Sequence, residues 1–252
     1  MSDLKIINSA TEDEKILIRH VLDLASQSFS SGRQRSSCFL DERQCALCEH
    51  ALRSSGFNDY ELTCGYENAV RRVIVFSGYG AKSVFTPVVF NYRDKDKLTH
   101  RDFLGALMSL NIKREMIGDI LVNEKRAVVF VMNTVLPLVK DMTKVSRCGV
   151  TISYDFSADD IPEQEFEVIK ATVSSLRLDS CLSAAIRQSR EKTQELIRSK
   201  GVVLNHVETY NPSSRVEAGD VFSVRGLGKF VIGELGGLSK KDRIFITINK
   251  YK

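Results

Sequence analysis

The residues best suited to chemistry lie near the C-terminus, in LSAAIRQSREKTQELIRSKGVVLNH at positions 182–206. Five cations, Arg187, Arg190, Lys192, Arg198 and Lys200, fall on two short helical stretches that switch at once to a β-type run. Guanidinium forks grip phosphate bidentately, and a helix start adds free N–H groups and the positive end of a dipole. From Arg177 onward the chain holds 14 Lys and Arg against 8 Asp and Glu, a surplus of +6, whereas the preceding residues hold 22 against 24. That asymmetry points to an anionic partner for the C-terminal part. Nucleic acid is the leading class. A lipid surface is disfavoured, because no amphipathic anchor accompanies the charge.

Other groupings are weaker. Cys45 and Cys48 form a C-x-x-C, but DERQCALCEHALRSSG reads as a helix, there is no second C-x-x-C, and His50 is too close to complete a spaced zinc site. They are expected to be ordinary helix residues, with no bound metal. Asp159, Asp160, Glu163 and Glu165 sit in SADDIPEQEFEVIKATVSSL, where acidic residues suit the first turn of a helix. The Gly-rich run SGYGAKS lacks the first glycine of a phosphate loop and precedes a strand, so it is expected to be a hairpin turn. No cofactor is expected.

At 252 residues, 43% hydrophobic and 27% charged, the chain is long enough for two or three small cores. Its longest apolar run, AVVFVMNTVLPLV, is broken by Asn133, Thr134 and Pro137, well short of the roughly 20 residues a membrane span needs. The start, MSDLKIINSATEDEK, has no apolar run behind a basic head, so a cytoplasmic address is expected, with the six cysteines reduced.

Three regions are expected to position these groups, in an α+β chain. Residues 1–80 should hold a helix capped by Thr11 and Glu14, a polar loop at SSGRQRSSC, a second helix near Asp41, and two strands, a small α/β region. Residues 81–160 have a β-α-β-β-α-β rhythm: TPVVFNYR, a helix capped by Thr99, a hairpin in GDILVNEKRAVVFVM, a helix in TVLPLVKDMTKV, and CGVTISYDF. That order predicts a ferredoxin-like, RRM-like middle domain. The strand RAVVFVM lacks the basic-Gly-aromatic pattern that stacks bases, so Phe90, Tyr92 and Phe130 are expected to pack. Residues 175–240 should form two helices, the second capped by Ser189 and stopped at Gly201, then strands joined tightly at Gly226 to Gly228. Arg190, Thr193, Gln194 and Ile197 share one helix face, and the helix that starts with an exposed Arg190, facing another that ends in Arg187, is expected to make a basic groove.

Arg177-Leu-Asp, Ser189-Arg190, Ile197, Gly201-x-Val203-x-Asn205, Ser213, Val216 and Gly219-Asp220 together resemble the S-four RNA-binding domain. His206 departs from that pattern, where Gly usually follows Asn, and alters the turn. With FLDERQ, IGDILV and SVRGLGKF, the whole chain is similar to the YlmH family of bacterial S-four proteins. The resemblance implies an S-four-type αL RNA-binding domain at 175–240, and binding to ribosomal RNA and tRNA on the large ribosomal subunit. It further implies a role in ribosome-associated quality control, assisting tail addition to stalled peptidyl-tRNA. Carried onto this sequence, the RNA contacts are Arg177, Arg187, Ser189, Arg190, Lys192, Thr193 and Lys200, with Arg225 and Lys229 as weaker ones.

Two other readings compete. An RNA-modifying enzyme, of pseudouridine synthase or methyltransferase type, or its accessory subunit, needs a catalytic Asp in a larger sheet or a cofactor loop. Neither is visible, so RNA binding without catalysis by a monomer is the expectation. A protein–protein module with merely solvated charges fits the +6 surplus less well.

Overall fold

Helix α1 (Glu12–Ser31) opens with a reciprocal cap: the Thr11 hydroxyl accepts from Glu14 N and the Glu14 carboxylate accepts from Thr11 N. This computed structural model describes residues 10–77 and 82–251. Helix α2 (Glu42–Ser54) repeats the device with Asp41 and Gln44. Its inward stripe includes Cys45 and Cys48, both buried, and desolvation pushes each thiol up to about 12. Strands β1 (Arg35–Ser36), β2 (Glu61–Thr63) and β3 (Val73–Phe76) form an antiparallel sheet in the order β1-β3-β2. β1 arises within the run expected to be a polar loop, because Ser37 bonds across to Ile74 and registers the segment on β3. The expected SGYGAKS turn falls largely on residues 78–81, outside the described residues.

Next come β4 (Phe85–Asn91), α3 (His100–Ser109), β5 (Ile117–Val122) and β6 (Arg126–Met132). They are followed by α4 (Leu136–Val139), a small hairpin of β7 (Lys144–Val145) and β8 (Cys148–Gly149), and β9 (Thr151–Ser153). The sheet order β5-β6-β4-β9, antiparallel throughout, is the split βαβ pattern of a ferredoxin-like sandwich. The second crossover helix is shorter than expected: α4 is one turn, and the chain then turns through Ser146 at positive φ to form the hairpin. Phe90, Tyr92 and Phe130 are buried packing residues, as their strand context predicts.

The chain divides into a unit ending at Pro162 and one beginning at Glu163. The first unit joins the regions expected as 1–80 and 81–160, since Phe39, Val73 and Val75 share a core with Phe85, Val89, Val128 and Phe130. Gly118 explains part of the IGDILV motif, because a Cβ there would lie 2.7 Å from the Phe39 ring and 2.9 Å from Phe130 Cβ. The neighbouring Asp119 accepts from Tyr66 Oη at 2.8 Å and from the N–H groups of Val70 and Arg71 at 2.7 and 3.1 Å. It fixes the loop before β3.

The acidic run corrects the helix expected there. Ala158–Asp160 is a single 3-10 turn, and Phe166–Val173 is strand β10. Ile169, Ala171 and Val173 point to the core while Val168 and Lys170 are exposed, a period of two that no helix satisfies. Asp160 is buried, and its carboxylate accepts from Arg126 and from Ser157 N.

The second unit continues with α5 (Leu178–Ile186), α6 (Arg190–Lys200), β11 (Val202–Leu204), β12 (Val207–Thr209), β13 (Val221–Val224), β14 (Gly228–Leu238) and β15 (Ile244–Tyr251). The six-stranded order is β10-β15-β14-β13-β11-β12. This unit is thus wider than 175–240, taking a strand from each side. Leu178, Cys181, Leu182, Ala185 and Ile197 of the helices pack on Phe222, Phe230, Ile232, Ile246 and Ile248 of one sheet face.

Candidate nucleic-acid interface

Helix α5 begins at Leu178, so Asp179 falls in its first turn, where a carboxylate suits the dipole. Asp179 is nevertheless fully buried. It is held there by five donors. Arg177 gives Nε and Nη2 at 3.2 and 3.1 Å, Arg190 gives Nε and Nη2 at 3.0 and 3.2 Å, and Gln194 gives Nε2 at 2.6 Å. Burial alone would raise the Asp179 carboxyl, but the bonds from Arg190, Gln194 and Arg177 outweigh it and hold the group below the usual carboxylate range. One negative charge therefore carries two positive ones. Both guanidiniums remain partly exposed, the Arg177 side chain at 37% and the Arg190 side chain at 42%. Each spends Nε and Nη2 on Asp179; Arg177 Nη2 also reaches Ser213 Oγ at 2.6 Å.

The joint between the helices adds more. Ser189 caps α6, its hydroxyl accepting from Lys192 N. Arg187 ends α5 with φ 53 and ψ 44, the left-handed conformation normally given to glycine at a helix end. A side chain there costs about 1 kcal/mol, so a long exposed cation at this position argues for use of its charge. Arg187, Ser189, Arg190 and Lys192 all lie exposed within six consecutive residues, and Asp179 draws Arg177 alongside.

The remaining candidates separate. Thr193 is fully buried and its hydroxyl donates to Ser189 O, so it supports the helix start and offers no surface to RNA. Lys200 lies exposed in the last turn of α6, about 15 Å along the axis from Arg190. Arg225 is exposed in the β13–β14 turn. Lys229 lies on the sheet, its Nζ 5.1 Å from the centre of the Tyr251 ring.

The expected binding face of α6 is corrected in kind. Arg190, Thr193, Gln194 and Ile197 do share a face, but it is the inward one. Thr193 and Ile197 are core, and Arg190 and Gln194 bind Asp179. The outward face mixes Lys192 and Arg198 with Glu191 and Glu195. Arg190 is exposed, as expected, and its guanidinium is at the same time bonded to buried Asp179. Sequence reasoning misses Asp179 and Gln194 as organisers, since an acid in a first helical turn already has a sufficient local reason. The pairing Arg-x-Asp, followed by Arg-x-x-x-Gln on the next helix, is the signal that could have shown them.

Residues 88–157 match the family model described as "Putative RNA-binding domain in YlmH". Over 260 aligned positions the chain is 32% identical to the ribosome-associated protein quality control protein P2 of Bacillus subtilis (strain 168), with all of both chains covered. The chain belongs to the YlmH family. A solved structure, the cell division protein ylmH from Streptococcus pneumoniae, is 18% identical, with 61% of this chain and 97% of that one covered at a TM-score of 0.49. The YlmH segment matched as RNA-binding is the ferredoxin-like sheet, whereas every RNA-binding residue expected from the sequence lies in the second unit. Among the described residues of this YlmH-family chain, no helix is long and apolar enough to cross a membrane, and no cluster of three or more His, Cys, Asp or Glu is arranged to hold a metal ion.

Proposed function

We propose that this protein is a non-catalytic, cytoplasmic RNA-binding factor of ribosome-associated quality control. It acts as a monomer on ribosomal RNA and tRNA of the large subunit and assists tail addition to stalled peptidyl-tRNA. The observation that carries the reading is the pair of guanidiniums held on one buried carboxylate at the start of α6. Such a pair presents fixed donors with a net positive charge, and phosphate contacts of this kind position RNA without reading its sequence. Full-length similarity to a protein named for ribosome-associated quality control supports the biological setting. The absence of catalysis is supported by how the buried reactive groups are engaged. Asp160 and Asp179 each accept several donors, and burial pushes the thiols of Cys45, Cys48 and Cys181 up to about 12.

The test is a titration of purified large subunits at several salt concentrations. Arg187→Gln and Arg190→Gln should each weaken binding. Each should also lower the slope of log affinity against log salt by about 0.7 to 0.9 for every phosphate no longer neutralised. Lys140→Gln, in the first unit, should leave both quantities near the parent's. Unchanged binding by the folded arginine variants, with a loss at Lys140, would move the interface out of the second unit.

A further inference from the structure

The six-stranded sheet has a second face, opposite the helices, that the interface above does not use. Strand alternation places Phe166, Val168, Lys170 and Thr172 of β10 there, beside Phe245, Thr247, Asn249 and Tyr251 of β15. Lys229, Val231 and Gly233 of β14 and Val221 and Ser223 of β13 continue the face. Its apolar groups are open to solvent: Phe166 is 37% exposed, Val168 55% and Phe245 50%. These positions of the four strands include two lysines, and one carboxylate, Glu234 at the bulge of β14, lies beside Lys170, Phe245 and Thr247. Phe166 and Tyr251 form an edge-on ring pair with centroids 5.0 Å apart, and Lys229 lies over the Tyr251 ring. Phe245 stands six residues from Tyr251 along β15, about 20 Å away. Aromatic rings at both ends of a lysine-bearing sheet face suit the flat faces and the backbone charge of unpaired nucleotides.

We propose that this open face is a second RNA surface, on which unpaired bases stack against Phe245 and Phe166 while Lys170 and Lys229 meet the backbone. The inference rests on the RNA-binding reading above but concerns different residues and a different form of RNA. The helix joint grips phosphates of any geometry; the sheet selects strands whose bases are free to stack.

The probes are a short fluorescein-labelled RNA strand of mixed sequence and the same strand annealed as a blunt duplex, each titrated with the full chain. Phe245→Ala and Phe245→Leu should each weaken single-strand binding about tenfold, and Phe245→Trp should restore it. Lys170→Gln should lower the single-strand salt slope by about 0.7. Duplex binding should be unchanged in all four. Circular dichroism serves as the folding control, and Phe245 is exposed enough that its loss leaves the core intact. The proposal is overturned if a folded Phe166→Ala/Phe245→Ala variant holds the strand as the parent does. It is equally overturned if Phe245→Leu behaves as the parent, which would make the face a general apolar contact. Light scattering that shows a dimer broken by the double variant would assign the face to a second copy and end the proposal. Should the parent hold duplex but not strand, this inference falls alone; should it hold neither, the RNA reading falls with it.

Discussion

The two large sheets of this protein bury different numbers of faces. In the ferredoxin-like sheet, Val88, Phe90, Val129 and Val131 pack under α3, while Val89, Val128 and Phe130 on the other face pack against Phe39, Val73 and Val75. Every residue of β6 from Ala127 to Met132 is buried. Among the described residues, the core of the second unit packs on one face of the six-stranded sheet, and β15 alternates between buried Ile246 and Ile248 and the more open Phe245, Thr247 and Asn249. The difference bears on how each could meet RNA. The segment matched as RNA-binding has no free sheet face in its central strands, so RNA would have to meet its edges, loops or helix side. The sheet of the second unit is free to use a face directly.

The comparison breaks most visibly in the core. Phe90→Ala and Phe130→Ala, on opposite faces of one sheet, should each cost about 3–5 kcal/mol. Thr247→Ala, on the open face of the other sheet, should stay within about 0.5 kcal/mol. Urea unfolding of the three variants measures this. A mild effect at Phe130 would show that the N-terminal region does not seal the sheet.

A smaller effect separates Arg190 from an ordinary surface cation. Arg190→Glu sets a carboxylate against buried Asp179 and should cost about 3 kcal/mol, while Arg190→Gln, which removes charge but adds none, should cost about half of that. Thermal melts compare them. Equal melting temperatures for both variants and the parent would mean the guanidinium is held only loosely.

The smallest effect is in pH. Asp179 is depressed in the folded state, so its contribution is fully present above the ordinary carboxylate pKa of about 3.9 and is lost as pH falls through the folded value. The stability difference between the parent and Asp179→Asn should be constant above about pH 4 and shrink below it. A difference that stays flat down to acid unfolding would show that the carboxylate is not held charged by its arginines.

Local signals carry the helix starts. Thr11, Asp41, Thr99 and Ser189 stand where their side chains predict, because a cap needs only its own next three or four residues. The turn at Asn205 and His206 draws on more than local chemistry. Both residues have positive φ in a two-residue hairpin, and Asn205 anchors itself on Asp220 and Val221. Strand β10 looks helical from its own residues, since EFEVIKATV gains its period of two only from pairing with β15, far along the chain. The one-turn α4 departs from expectation for a related reason: the pull of Val145 into the core interrupts a helix that propensity would have continued.

By itself the sequence determined the α+β class, the β-α-β-β-α-β order, the helix pair with its caps, the positive surplus after Arg177, and the family. These follow from neighbours in the chain, from composition, or from motifs that keep their order. Only the tertiary structure decided which cations can act together. Arg177 and Arg190 share Asp179, Thr193 is buried, Lys200 stands at the far end of α6, and Lys229 belongs to the sheet. Charge in a sequence is a sum, whereas a binding site is a direction. The orientation of these two guanidiniums is set by a buried carboxylate whose need for hydrogen bonds draws Arg177 and Arg190 to one point.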